Sequence, residues 1–287
     1  METVTLPSHA SADRASELVQ SCEHIAREAD LRVIDATGVT RWGPLGVAML
    51  GSALARRQLA GLAHLEFRPP SDDRCRKFFA EVGLLEHLAE TASPDRSSST
   101  LKLRQMSDLE PLYTRGVADL LTSQVAGTSD EVSHLIELCL NELLQNVFEH
   151  AYPEAQPARK TVGAFVHCRW YAREGNVRIA VVDGGIGIPA ALRVASHRGN
   201  IQFRDLQRMS DSALVIDAVT KEGLSSREGP RAGGLGLKTL HEIATSRGGR
   251  LVVVSHQITV GFRRGSRSAR KSPHFRGTAV EVDFRPV

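Results

Sequence analysis

The stretch Asn141-Glu142-Leu143-Leu144-Gln145-Asn146-Val147-Phe148-Glu149-His150-Ala151 closes a helical run predicted over residues 128–152. Residues four apart on a helix stand above one another, so Glu142, Asn146 and His150 form a ladder. Ile136, Leu140, Leu143, Leu144, Val147, Phe148 and Ala151 collect on the other side, and that side must be core. The ladder follows the border between the two faces. A carboxylate, an amide and an imidazole in line there are either a solvated edge or one wall of a polar pocket. Thr128 and Glu131 have the spacing of a capping box, and Pro153 ends the run.

Downstream, residues 161–171 and 176–182 alternate apolar and polar side chains around Arg173-Glu174-Gly175, the pattern of a β-hairpin. The second strand runs into Asp183-Gly184-Gly185-Ile186-Gly187-Ile188-Pro189. Glycines there let backbone come close to a ligand. An aspartate ending a buried strand is costly unless it accepts hydrogen bonds, which a ligand amino group would supply. Farther on, Gly233-Gly234-Leu235-Gly236-Leu237-Lys238-Thr239 opens a helix with Leu240, Ile243 and Ala244 on its apolar side. Free amides and the positive dipole end at such a start make a phosphate site. It is not a Walker loop, because Leu237 precedes Lys238-Thr239 where that motif needs glycine. A last strand over residues 276–282 sets Thr278 beside Gly277. The pocket is therefore the reading to keep for the ladder.

These four stretches resemble, in order, the motifs of the GHKL superfamily of histidine-kinase-like ATPases, which have the Bergerat nucleotide fold. Glu-x-x-x-Asn-x-x-x-His is similar to the family's asparagine box. Asp-x-Gly-x-Gly-Ile, Gly-Gly-Leu-Gly-Leu and the late Gly-Thr are similar to its three glycine boxes. The likeness covers about residue 101 to the C-terminus, and implies an α/β sandwich of a mixed sheet covered by helices. It implies that ATP and Mg2+ are the cofactors, with Asn146 coordinating the metal that bridges the phosphates. Asp183 would accept the adenine amino group, with Thr278 nearby sharing a water. Gly185, Gly187 and Ile188 would line the adenine side; Gly234, Leu235, Gly236, Leu237 and Lys238 would wrap the phosphates. Glu142 stands where family members keep their general base. His150 is either a ligand contact or a packed histidine beside the pocket. Residues 190–232 would form an ATP lid, with a helical piece over 211–220 and Arg227 and Arg231 as phosphate contacts by sign of charge. A Rossmann reading of Gly185-x-Gly-x-x-Ala190 fits poorly, since the hairpin context is antiparallel.

Ahead of this lies an alternation of short strands (residues 3–6, 31–36, 64–68) and helices (11–29, 45–59, 71–87), a small α/β unit over residues 1–90. Ser71-Asp72-Asp73 supplies the last helix with an N-cap and first-turn acids. The polar, serine-rich residues 91–100 read as a linker, and a second domain as residues 101–287, with a helix over 110–126 leading to the central one. Val33-Ile34-Asp35-Ala36-Thr37-Gly38-Val39, the helix start Leu45-Gly46-Val47 and Phe78-Phe79-Ala80-Glu81-Val82-Gly83-Leu84 resemble a STAS domain, the fold of anti-sigma-factor antagonists. That family places a phosphorylatable serine where this chain has Leu45, so the likeness implies no phosphate switch there.

Bulk properties set the outer limits. A net charge of +3 is too mild to imply nucleic acid. The basic stretch at residues 263–271 reads as a solvated hairpin loop; no aromatic residues interleave to stack bases, so nucleic acid is disfavoured. The longest apolar run, residues 44–55, is too short to span a bilayer, and the start lacks the pattern of a signal peptide. Cys22, Cys75, Cys139 and Cys168 have no paired spacing and read as reduced thiols of a cytoplasmic protein. The expectation is a Mg-ATP-binding regulator with a protein partner, self-association being open. It would be an anti-sigma-type serine/threonine kinase or partner-switching regulator. The alternative is an ATP-driven conformational switch. A sensor histidine kinase ranks last, because no helical hairpin bearing a histidine precedes the ATPase part.

Overall fold

The computed structural model describes residues 2–10, 14–84, 101–125, 130–152, 162–197, 206–221 and 236–286. The expected linker at 91–100 lies outside them. Strands β1 (Glu2–Thr5), β3 (Leu31–Asp35) and β5 (Glu66–Arg68) form a parallel sheet in the order β1-β3-β5. Helices α1 (Ala15–Arg27), α2 (Pro44–Leu59) and α3 (Asp73–Glu81) alternate with these strands. Two short strands, β2 (His9–Ala10) and β4 (Arg41–Trp42), pair in parallel beside them. Asp72 caps α3, its Oδ1 accepting the Cys75 N–H at 2.9 Å.

The rest of the chain is built on a five-stranded sheet ordered β6-β7-β8-β10-β9, antiparallel at every pairing where a mixed sheet was expected. These strands are β6 (Arg104–Met106), β7 (Ala164–Tyr171), β8 (Asn176–Asp183), β9 (Arg250–Arg263) and β10 (Ser266–Phe284). The helices are α4 (Pro111–Ser123), α5 (Asp130–Asn146), α6 (Ile188–His197), α7 (Asp211–Thr220) and α8 (Gly236–Ser246). The central helix stays α-helical to Asn146 and then widens into a π turn, Val147–Ala151. The α register that sets His150 above Asn146 therefore ends at Asn146. Thr128 of the expected capping box lies outside the described residues, and Glu131 pairs instead with Arg247 at 2.9 Å.

Side-chain parity shows why this sheet reads as almost continuous apolar sequence. On β8, Ile179 and Val181 enter one core with α4, α5 and α8, while Ala180 and Val182 enter a second core with α1 and α2. On β9, Leu251 and Val253 go to the first core, and Val252 and Val254 to the second. A sheet covered on both faces needs apolar residues at every position, so strict alternation disappears.

Helix α2 fills the space between the N-terminal unit and the back of the sheet. Its residues are apolar or small on all sides as far as Ala55, which suits a helix with no solvent face. Gly51 sits so close to the sheet that a Cβ there would lie 2.7 Å from Phe165 and 2.8 Å from Leu103. Pro44 starts the helix at a position needing no N–H, and the Leu45 N–H donates to Glu281 Oε2 of β10 at 3.3 Å.

The basic stretch differs from the expected loop. Residues 263 and 266–271 are strand, with Ser266 opposite Arg263 and only Arg264-Gly265 turning between them. Gly265 takes φ +69° there, a backbone conformation that glycine adopts without strain. The ladder between β9 and β10 shifts register between Lys271 and Thr278, opposite His256, whose φ is +53°. All four cysteines are buried and unpaired. Among the described residues no helix is long and apolar enough to cross a membrane.

Candidate nucleotide site

The central helix carries two of the expected residues to the start of α8. A Cβ on Gly236 would lie 2.6 Å from Glu142 Oε2 and 3.2 Å from the Asn146 amide nitrogen. Gly236 is the first described residue of α8, and this end of the helix carries the positive pole of its dipole. The carboxylate, the amide and the helix start therefore face one small space that only glycine leaves open. One end of the Asn146 amide is buried with no hydrogen-bond partner, an arrangement that costs free energy unless a ligand supplies one. Burial, and secondarily the nearby Glu149 carboxylate, push the Glu142 carboxyl above its usual range.

A second group gathers at the end of β8. Asp183 is 3% exposed, and its Oδ1 accepts the N–H of Gly185 at 2.7 Å and of Thr278 at 3.2 Å. Burial raises its carboxyl to about 7 against the lowering effect of those two bonds. Both bonds fall on Oδ1, so Oδ2 is the oxygen open to a ligand donor. Gly277 takes φ +109°, and a Cβ on it would strike the Asp183 carbonyl, so no other residue fits.

The glycines of the first loop are crowded by the protein itself. Gly185 abuts Ala151, whose carbonyl accepts the Ile186 N–H at 3.0 Å. A Cβ on Gly187, where φ is +77°, would lie 2.8 Å from Ser255 Oγ. Tyr152 fastens the same corner: its hydroxyl donates to Gly163 O at 2.8 Å and accepts the Gly184 N–H at 3.1 Å. One π turn separates Asn146 from Ala151, so both groups lie along the same helix, Glu142 and Asn146 on successive turns and Asp183 beyond them.

The other expected residues are placed as follows. The Ile188 N–H donates to Ser255 Oγ at 2.9 Å as α6 begins. Leu237 packs on the apolar core, and Lys238 Nζ lies 3.3 Å from Glu242 Oε1. His150 Nε2 is 3.9 Å from Glu149 Oε2. Gly234, Leu235, Arg227 and Arg231 lie outside the described residues. Of the expected lid, α6 and α7 are described; Leu192, Leu206, Leu214 and Ala218 pack them into a small core of their own.

Sequence reasoning missed Ser255, which also donates to Gly277 O at 3.2 Å and lies 3.4 Å from Thr278 Oγ1. Its signal was parity: a hydroxyl ending an apolar strand, on the same side as Leu251 and Val253. It also missed Arg56 of α2, which is buried behind the first glycine loop. A Cβ on Gly184 would lie 3.1 Å from Arg56 Cδ. Arg56 donates to both oxygens of Glu23, at 2.6 and 2.9 Å, and Glu23 also accepts the Arg276 N–H at 3.0 Å. Nothing in the local pattern of α2 announces that contact.

The pattern of the family described as histidine kinase-, DNA gyrase B-, and HSP90-like ATPase matches residues 131–286, more than half of the chain. The protein belongs to that family, and these residues form an ATP-binding domain of the GHKL type. No curated protein matches the chain. The residues present suit a nucleotide. Asn146 offers a buried amide nitrogen without a partner, a donor for a phosphate oxygen, Gly236 keeps side-chain bulk away from it, and Asp183 keeps an oxygen for an amino group. Among the described residues no three His, Cys, Asp or Glu side chains gather to hold a metal unaided. A cation here would be shared between Asn146 and the phosphates.

Proposed function

We propose that the protein is a Mg-ATP-dependent regulator of the anti-sigma type, which transfers phosphate to a serine or threonine of a partner protein. The observation that carries this reading is the Glu142 carboxylate facing Gly236 at the start of α8. Phosphoryl transfer needs charge neutralisation, positioning and one group to take the proton of the attacking hydroxyl. Bound Mg2+ would supply most of the neutralisation, with Asn146 as its protein ligand. The amides opening α8 would hold phosphate oxygens, and Asp183 Oδ2 would accept the adenine amino group. Glu142, its affinity for protons raised by burial, would take the proton from the attacking oxygen.

The N-terminal unit supports a substrate in trans. If it is STAS-like, its acceptor position is Leu45, which is wholly buried and bonded through its N–H to Glu281. A hydroxyl to be phosphorylated must then come from another molecule. A second reading, an ATP-driven switch, draws on Arg56, which links the first glycine loop to Glu23 in the N-terminal unit. Movement of that loop on nucleotide binding would be felt by α1 and α2.

Incubating the full chain with Mg-ATP labelled at the γ-phosphate, alone and with host lysate, separates these readings. Acid-stable label on a lysate protein is the expected result. Free phosphate alone would replace the kinase by the switch, and label remaining on ATP would overturn turnover altogether.

A further inference from the structure

At the far end of the five-stranded sheet lies a cleft of about 620 Å³, walled by the N-terminal unit on one side and the sheet on the other. It is remote from the nucleotide site. Asn176 and Arg178 line it at the start of β8, whereas Asp183 ends that strand, roughly 20 Å away at about 3.3 Å per residue. Its described lining includes six arginines, Arg14, Arg41, Arg178, Arg250, Arg263 and Arg285, and two carboxylates, Glu174 and Asp283.

Glu174 and Asp283, with Glu281 behind them, hold Arg41, Arg178 and Arg250 in place, and Arg14 and Arg285 stand exposed at the same cleft. Glu174 pairs with Arg41 from the N-terminal unit at 2.9 Å and with Arg178 from the sheet. Asp283 pairs with Arg178 at 3.2 Å and lies 3.7 Å from Arg250, which also meets Glu281 at 3.5 Å. Two of the six come from the first forty-one residues, three from the sheet and one, Arg285, from just past its last strand, so folding itself gathers arginines at this seam. Arg250 and Arg263 are thirteen residues apart on β9, about 43 Å on a straight strand, yet both line the cleft. The register break opposite His256 folds the basic arm back so that its end reaches the cleft. Like charges held in one concave space repel unless an anion is shared between them. The cavity has the size of a small-molecule site, and guanidinium forks match phosphate oxygens two at a time.

We infer that this cleft is a second ligand site, distinct from the nucleotide site, which binds a small polyanion carrying two or more phosphate groups across the seam between the N-terminal unit and the sheet. Such a ligand draws Arg14 and Arg41 toward Arg178 and Arg285, and so ties the two parts of the chain together.

Calorimetric titration of the full-length protein with inorganic pyrophosphate, without magnesium, tests this. The expected result is saturable 1:1 binding that persists in Asn146→Ala. It should weaken at least tenfold in the double variant Arg14→Glu/Arg285→Glu, whose two sites are exposed, while affinity for a fluorescent ATP analogue and thermal unfolding stay as in the wild type. Absence of saturable binding overturns the inference. So does binding that the double variant retains, or that Asn146→Ala abolishes, since the latter places pyrophosphate in the nucleotide site. Capture of an acidic peptide or of nucleic acid, with no affinity for pyrophosphate, also overturns it.

Discussion

Arg56 and Glu23 form a two-pronged buried ion pair between α2 and α1, and the stem of Arg56 lies against Gly184 of the first glycine loop. The pair thus backs the nucleotide site with residues from the far end of the chain. Arg56 also works electrostatically, lowering the proton affinity of Asp183.

Removing one partner of such a pair strands the other charge in a dry place. Arg56→Met should destabilise the protein by about 3–5 kcal/mol in urea unfolding, and Arg56→Met/Glu23→Leu should recover much of that loss. A single variant as stable as the wild type would show that the pair is solvated in solution.

The Asp183 carboxyl, raised to about 7, makes adenine recognition depend on pH. An amino group donates to the ionised carboxylate, so binding should strengthen as pH rises through about 7. Adenosine isolates the effect, since it has no phosphate to titrate. Its affinity should climb between pH 6 and pH 8 in the wild type and stay flat in Asp183→Asn. The sign for stability is opposite. The folded state holds a proton that the unfolded state releases near 3.8, so this group's contribution is fully present below that value and is lost as pH rises to about 7. A flat adenosine profile in the wild type would remove Asp183 from base recognition.

Asn146 and Glu142 should separate binding from turnover. Asn146→Ala should abolish magnesium-dependent ATP binding and leave adenosine binding unchanged. Glu142→Gln should keep ATP affinity and lower turnover by roughly 10²–10⁴-fold, the usual share of a general base. Equilibrium binding and single-turnover assays check both, and unaltered turnover in Glu142→Gln would exclude that residue from the chemistry.

Gly51 tests the seam between α2 and the sheet. Gly51→Val places carbon where Phe165 and Leu103 already are, and should cost about 1–3 kcal/mol of stability. Gly61→Ala is a poor control, because φ +67° strains any side chain; Gly116→Ala, with open space around it and an ordinary helical φ, should be neutral or slightly stabilising. Equal stability of Gly51→Val and the wild type would mean that α2 stands farther from the sheet.

Much of the site was legible because its parts are local signals. Asp183 ends a strand, Gly236 opens a helix, and Glu142 and Asn146 are one helical turn apart. Those spacings survive in the folded chain. Most element boundaries in the N-terminal unit were also readable, as was the Asp72 cap, but the helix expected over 71–87 stops at Glu81 and the two-residue strands β2 and β4 were not foreseen. What escaped depends on contacts between distant segments. Arg56 looks like an ordinary basic residue near the end of a helix until Gly184 is brought against it. The π turn after Asn146 leaves no trace in an apolar periodicity that runs on through Ala151. The basic arm has the composition of a solvated loop, and only pairing with Ile258, Val260 and Phe262, which are buried, makes it strand. The all-round apolar character of α2 did predict burial, but could not say that its second neighbour would be the sheet of residues 164–284.

The bond from the Leu45 N–H to Glu281 spans 236 residues of chain. On a ribosome making about 5–20 residues per second, α2 is complete roughly 11–44 s before Glu281 of its last covering strand is synthesised. For that interval a helix that is apolar or small on all sides as far as Ala55 has nothing to lie against but the few elements already made. The nascent chain is therefore a natural client for chaperones that shield apolar segments during translation, and its yield in the cell will follow the speed of elongation as well as the stability of the finished fold.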